Sequence, residues 1–347
     1  MWPRPKSISL RRIAADNVTV PHLNAKSASI VLLASLAAAA AGCGSAGPAA
    51  PRVGPAAPLP QAPRELRVRV GGRIVSVAFE DYVAGTALTE VTPVGESPRV
   101  VARVYDVQAI VARTYALAHL GRHRAEGFDV CDSTHCQLYD PSRLGSSRFA
   151  ADVRHAIERT AGQVLFYGGR PIDALFSADC GGHTASPAQV WGTAPLPYLP
   201  SEPDRAPALT HRSWTLTLTR GQLQTALNAD PRSAIGRSLK SVKTGPIDGS
   251  GRVSTVMITG DRRVDLRGDE FRTVVNQLLG PRGIQSTRFT IRPTRTGYLL
   301  NGTGFGHGVG LCQLGTLARA RRDMSTDRIL AFYFPGASLG TLDGRIP

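Results

Sequence analysis

The sequence predicts an α+β fold, a mixed or antiparallel sheet with several helices around a substrate cleft. Three observations predict it. Alternating apolar segments joined at paired glycines read as hairpins, helical spacings of three and four residues fall between them, and no regular β-α-β period links the two. With 42% hydrophobic residues in 347, a packed core is within reach.

The first structured segment is a hairpin. Leu66-Arg67-Val68-Arg69-Val70 alternates, Gly71-Gly72 turns, and Ile74-Val75-Ser76-Val77 alternates again. Asp81-Tyr82-Val83 opens a short helix towards Glu90, stopped near Pro93. A longer helix follows, with Val104, Val107, Val111, Tyr115 and Ala118 on one face. Ile110, Arg113 and Leu117 lie on another, so this helix is buried nearly all round, and its arginine needs an anionic partner or a cleft. A helix after Asp152 leads to a second predicted hairpin, Gln163–Tyr167 with Ile172–Phe176, turning at Gly168-Gly169. Strands at Trp214–Thr219 and Val253–Thr259 alternate with short helices. Late strands end in the glycine-rich Gly302–Gly310 segment, and two helices run on to Phe334.

The region before the hairpin is different in kind. Lys26 precedes an apolar stretch, Ile30 to Leu36, and a run of alanines ending in Ala41-Gly42-Cys43. That order reads as an export signal over residues 1–43, with Cys43 a candidate for lipidation. The apolar stretch is short and alanine-rich for a membrane span. Residues 44–63 are mostly Gly, Ser, Ala and Pro, the composition of a flexible tether, so the folded domain is expected over 64–347. The protein is therefore expected outside the cytoplasm, in the cell wall or held at the membrane through its signal or a lipid anchor.

Net charge is +15, which favours anionic partners. The first 75 residues hold ten Lys/Arg against two Asp/Glu, leaving about +7 for the rest, and only four of the 41 basic residues are Lys. No stretch interleaves basic with aromatic residues and no helix carries a continuous basic stripe, so nucleic acid is not an expected partner.

Three constellations could carry chemistry. In Cys131-Asp132-Ser133-Thr134-His135-Cys136, two thiols and an imidazole within six residues suit one borderline metal ion, most plausibly zinc. The competing use of those thiols is a disulfide, between Cys131 and Cys136 or from either to Cys180 or Cys312. In Cys180-Gly181-Gly182-His183-Thr184, paired glycines allow a sharp turn or close approach to a ligand, with His183 placed to contact substrate or a metal. Gly304–Gly310 matches a G-x-G-x-x-G spacing, but no β-α-β unit surrounds it. A loop laying its backbone on a polymer, with His307 and Gln313 presented, suits it better.

Together these residues resemble the stage II sporulation protein D and amidase-enhancer family. The motifs run in the family's order from about Val77 to Leu339: Asp81-Tyr82-Val83, Gln108–Ala116, Gly127–Gln137, Cys180–Thr184 with Trp191-Gly192, Gly306–Gly310, and Tyr333-Phe334-Pro335-Gly336. The resemblance implies a lytic transglycosylase that cuts the β-1,4 bond between N-acetylmuramic acid and N-acetylglucosamine in peptide-stripped peptidoglycan. One glutamate serves as both acid and base, which needs a single carboxyl kept protonated in a partly apolar site. Alone, Glu90 reads as a carboxylate closing a helix; the resemblance makes it that glutamate. The family typically reads Ala-Glu-Met-Pro where this chain has Thr89-Glu90-Val91-Thr92-Pro93, with one residue inserted before the proline.

By the same resemblance Arg113 is a catalytic-cleft arginine suited to a saccharide hydroxyl or lactyl carboxylate, and Tyr115, His183, His307 and Gln313 contact substrate. Cys131, His135 and Cys136 hold zinc in some members. Two rival functions follow from the same motifs. One is a non-catalytic glycan-binding module that stimulates an N-acetylmuramoyl-L-alanine amidase; the other is a zinc-dependent hydrolase of the peptide stem.

Overall fold

The computed structural model describes residues 61–206 and 210–342. The export segment, Cys43 and the tether up to residue 60 lie outside them. Ala62, in the last part of the expected tether, already packs on the larger of two cores.

That larger core begins with the predicted hairpin, β1 (Glu65–Val70) and β2 (Arg73–Ala78). Gly71 and Gly72 both have positive φ, +54° and +84°, as a two-residue turn between twisted strands requires. Leu66 and Val68 point into the core while Arg67 and Arg69 face solvent. The chain passes directly into α1 (Phe79–Glu90), which is buried without a break from Tyr82 to Leu88. Next comes α2 (Pro98–Ala118), started by the Ser97 cap and by proline at its first position. Every residue from Val107 to Leu117 is buried, so α2 is the central post of this core. Strand β3 (Val130–Cys131) lies parallel to β1, with Cys131 beside Arg69. Helices α3 (Arg143–Ser146) and α4 (Ala150–Arg159) follow; α4 packs against α1 and α2 through Ala84, Leu88, Tyr105 and Val153.

The second predicted hairpin is shorter than its sequence suggests. Strand β4 (Gln163–Tyr167) pairs with only two residues, β5 (Arg170–Pro171). Two tight turns then bend the chain away, Ala174 N–H to Ile172 O at 2.8 Å and Leu175 N–H to Asp173 O at 2.7 Å. Residues expected to complete the hairpin become β6 (Phe176–Ser177), and α5 (Pro187–Trp191) follows under a Ser186–Gln189 capping box.

Residues 213–303 build the second core on two three-stranded antiparallel sheets. The chain runs through β7 (Ser213–Thr219), α6 (Arg220–Asn228), β8 (Ser241–Thr244), β9 (Thr255–Thr259) and β10 (Arg263–Arg267). It continues through α7 (Gly268–Leu279), β11 (Phe289–Pro293) and β12 (Gly297–Thr303). The sheet orders are β10-β9-β8 and β11-β12-β7. Trp214, Val256, Ile258, Leu300 and, from α7, Phe271 are among the buried side chains of this core. The chain then returns to the first core as β13 (Leu311–Cys312), parallel to β6, followed by α8 (Gln313–Arg321) and α9 (Thr326–Tyr333). Strand β14 (Ser338–Thr341) closes the free edge of β4. The α+β expectation holds, with small, mostly antiparallel sheets in place of one large one.

Candidate functional site

Glu90 is the last residue of α1, where Val91 turns to extended backbone (φ −132°, ψ 135°). Its carboxylate accepts one hydrogen bond, from Leu138 N–H to Oε1 at 2.7 Å, and pairs with no cation among the described residues. Burial pushes the carboxyl up to about 7, and the Leu138 N–H only partly opposes that rise. The group is half-buried, so it remains reachable. The inserted residue before Pro93 is accommodated beyond the helix, in a turn closed by Val94 N–H to Thr92 O, while Tyr105 donates to Val91 O at 3.3 Å.

The segment that holds Glu90 is the one carrying the cysteine-rich motif. Asp140 N–H donates to Thr89 Oγ1 at 3.1 Å, Tyr82 donates to Gln137 Oε1 at 3.3 Å, and Tyr82 and Tyr139 rings lie 5.0 Å apart. The loop from Cys131 to Asp140 therefore clasps the end of α1. Within it the structure gathers four ligand atoms rather than three. Cys131, His135, Cys136 and His123 place one donor atom each within 4.8 Å of one another. Cys136 Sγ is 3.4 Å from His123 Nε2 and 3.8 Å from His135 Nδ1, and Cys131 Sγ is 3.9 Å from His135 Nδ1. In a tetrahedral zinc site such S···N separations are about 3.6 Å, from bond lengths of about 2.3 and 2.0–2.1 Å.

His123 was missed in the sequence because it lies outside the six-residue motif. The signal was present: Glu126, three residues on, accepts from His123 Nδ1 at 2.5 Å and turns Nε2 to the thiols. Burial holds the His135 imidazole below its usual range, which favours the neutral, ligating form. Cys131 and Cys136 are free thiols, as are Cys180 and Cys312, so none of the disulfides weighed from sequence is present among the described residues.

Several expected site residues are placed elsewhere. Arg113 is no cleft residue. It is wholly buried, and its guanidinium grips Glu80 through Nε and Nη2 at 2.8 and 2.7 Å, with Nη1 donating to Thr160 Oγ1 and Gln163 O. A buried helix needed an anion for this arginine, and α1 supplies it. Tyr115 is buried as well, stacked on His119 at 4.0 Å, and its hydroxyl accepts from Arg122. Gln313 is buried and donates to Gln108 Oε1 at 3.2 Å, so it is not presented.

His183 and His307 are half-buried and make no hydrogen bond to Glu90. His307 stands 5.3 Å from Trp191, and burial beside Arg272 and Arg252 pushes it down to about 4. The glycines around it lie close against the protein's own chain. A Cβ on Gly308 would collide with the Arg252 guanidinium, and that buried arginine donates to the carbonyls of Cys180 and His183.

Comparison with known proteins follows this division. A stage II sporulation protein family model matches residues 71–167, the segment holding Glu90 and the four-ligand cluster. Residues 71–167 are thus the part of the chain that is similar to stage II sporulation proteins. A second model, a domain of unknown function (DUF8618), matches residues 210–310, the second core. An uncharacterized protein of Brachyspira hyodysenteriae is 33% identical over 75% of this chain and 66% of its own length. The amidase enhancer of Bacillus subtilis is 30% identical over 67% of this chain, which spans only 37% of that relative. Stage II sporulation protein D of the same organism is 25% identical over 78% of this chain and 76% of its own.

Proposed function

We propose that the protein is a peptidoglycan lytic transglycosylase acting on peptide-stripped glycan strands, with Glu90 as its acid and base. The observation that carries this reading is a half-buried, cation-free carboxyl with a pKa of about 7 in the sporulation-protein domain. Such a group is protonated in a large fraction of molecules at neutral pH. It donates that proton to the glycosidic oxygen as the bond to the muramyl anomeric carbon breaks. The carboxylate then takes the proton of the muramyl 6-hydroxyl as that oxygen attacks the same carbon, closing a 1,6-anhydro ring. Acid and base are regenerated in one residue, and no second carboxylate is needed to hold water.

The donor set of His123, Cys131, His135 and Cys136 fits zinc. Bound there, zinc would supply structural cross-linking of the loop. The chain's own part is that the loop delivers the Leu138 N–H to Glu90 and closes over Tyr82. Export through residues 1–43 and a lipid on Cys43 belong to the same proposal, since the substrate lies outside the cytoplasm. Among the described residues no helix is long and apolar enough to cross a membrane.

The test is product analysis on stripped glycan strands. Wild type is expected to release anhydro-muramyl ends and Glu90→Gln to release none; undiminished release by the variant would sink the assignment. A second reading is favoured by the relative named amidase enhancer: a glycan-binding module that stimulates an N-acetylmuramoyl-L-alanine amidase. It wins if wild type releases no glycan product yet raises amidase turnover.

A further inference from the structure

The charge of the chain is unevenly divided between the two cores. Residues 61–206 hold fifteen basic and sixteen acidic residues and are close to neutral. Residues 210–310 hold fifteen basic and six acidic, a net +9 in 101 residues. The difference has two parts: the fifteen cations are spread over 146 residues in the first segment and over 101 in the second, and the acids drop from sixteen to six. An excess of nine positive charges in one lobe gives a field that draws polyanions to it.

The acids that remain in this lobe are already engaged. Asp230, Asp265, Asp269 and Glu270 pair with Arg232, Arg263 and Arg267, and Asp261 accepts from Arg237 N–H and Ser238. A groove of about 320 Å³ opens where the edges of the two sheets meet, between β8 and β11. Its cations are Arg220, Lys240 and Lys243, all exposed, and no carboxylate lines it. Lys240 and Lys243 are the only lysines of the described residues. Arg220 is set in place by the carbonyls of Leu239 and Lys240 at 3.2 and 3.3 Å and by the Tyr298 ring. Arg292 and Arg295 are exposed on β11 and the turn after it.

We propose that residues 210–310 are a polyanion-binding lobe whose groove between β8 and β11 takes a phosphodiester polymer of the cell wall. A concave, carboxylate-free groove suits a chain of phosphates better than a flat bilayer, and the residues lining it include no exposed large apolar side chain to enter lipid. Nucleic acid is disfavoured because the groove's aromatic ring, Tyr298, is buried and offers no stacking face to a base. The choice of a wall polymer rests on the cell-wall reading above; the anion chemistry does not.

The experiment uses the full chain, as wild type, Glu90→Gln and the double variant Lys240→Glu/Lys243→Glu. Binding is measured to soluble poly(glycerol phosphate), to walls with and without their phosphodiester polymer, to phosphatidylglycerol vesicles and to an oligodeoxynucleotide. Wild type and Glu90→Gln are expected to bind the polymer and polymer-bearing walls equally, more weakly as salt rises. The double variant, with four units of charge changed, is expected to lose about tenfold or more while cleaving soluble stripped glycan as wild type does. Equal retention on polymer-free walls, equal or tighter binding to vesicles or oligonucleotide, or full binding by the double variant overturns the proposal. Intact polymer binding without any glycan cleavage overturns the reading of Glu90 alone.

Discussion

Glu90 owes its raised pKa to burial without a compensating cation, and that gives the proposed reaction a pH signature. The proton donor is the neutral carboxyl, so turnover is expected to fall as pH rises through about 7. Replacing Glu90 by Gln keeps the shape and removes the proton, with an expected loss of about 10²–10⁴-fold in rate. The same shift acts on stability. A carboxyl whose folded pKa lies above its unfolded value is fully tolerated below about 4.5, and its stabilising protonated form is lost as pH rises through about 7. Glu90→Gln is therefore expected to be more stable than wild type at pH 8, by up to about 3 kcal/mol, and indistinguishable at pH 4. Urea titrations at the two pH values check this. Arg113 makes the opposite case. Removing it strands Glu80 against a buried helix, so Arg113→Met is expected to cost about 3–5 kcal/mol in unfolding free energy. A residue lining a glycan cleft would instead raise KM and leave stability nearly unchanged.

At the scale of elements, the loop from Cys131 to Asp140 carries metal-type ligands at one end and the hydrogen bonds to α1 at the other. Ligand loss and acid strength should therefore move together. His123→Ala is expected to lower zinc content, read by metal analysis. It is also expected to move the alkaline limb of the pH–rate profile, because Leu138 no longer sits in a fixed position against Glu90. A zinc content unchanged by that substitution would remove His123 from the ligand set. How much of this was legible depends on sequence distance. The turn at Gly71-Gly72 and the burial of α2 follow from local spacing, and both were readable. Cys131, His135 and Cys136 announced themselves within six residues. His123 joins them only because the segment after α2 folds back onto β3, and Arg113 finds Glu80 across 33 residues. Pairings of that kind are set by packing, which periodicity does not encode. The second hairpin is cut short for a related reason: after Pro171 the chain turns away, and Phe176 and Ser177 pair instead with β13, from the far side of the inserted segment.

For the whole molecule, the parallel pairing of β6 with β13 and of Ala185 with Val309 makes the second lobe an insertion into the first. The motifs read from sequence as one continuous domain are thus split, with the glycine-rich segments at the point where the chain leaves and returns. Nothing in the local spacing marks that division; two separate sets of apolar contacts do. Pairing of β14 with β4 also sets an order of events during synthesis. Strand β4 is made by residue 167, but the neighbour that covers its edge arrives only with residues 338–341. The inserted lobe has all its strands by residue 303 and completes its own sheets first. For most of the time the chain is being made, the domain that holds Glu90 waits with an open sheet edge. The glycan cutting proposed for Glu90 is therefore expected to become possible last, after the basic lobe has already folded.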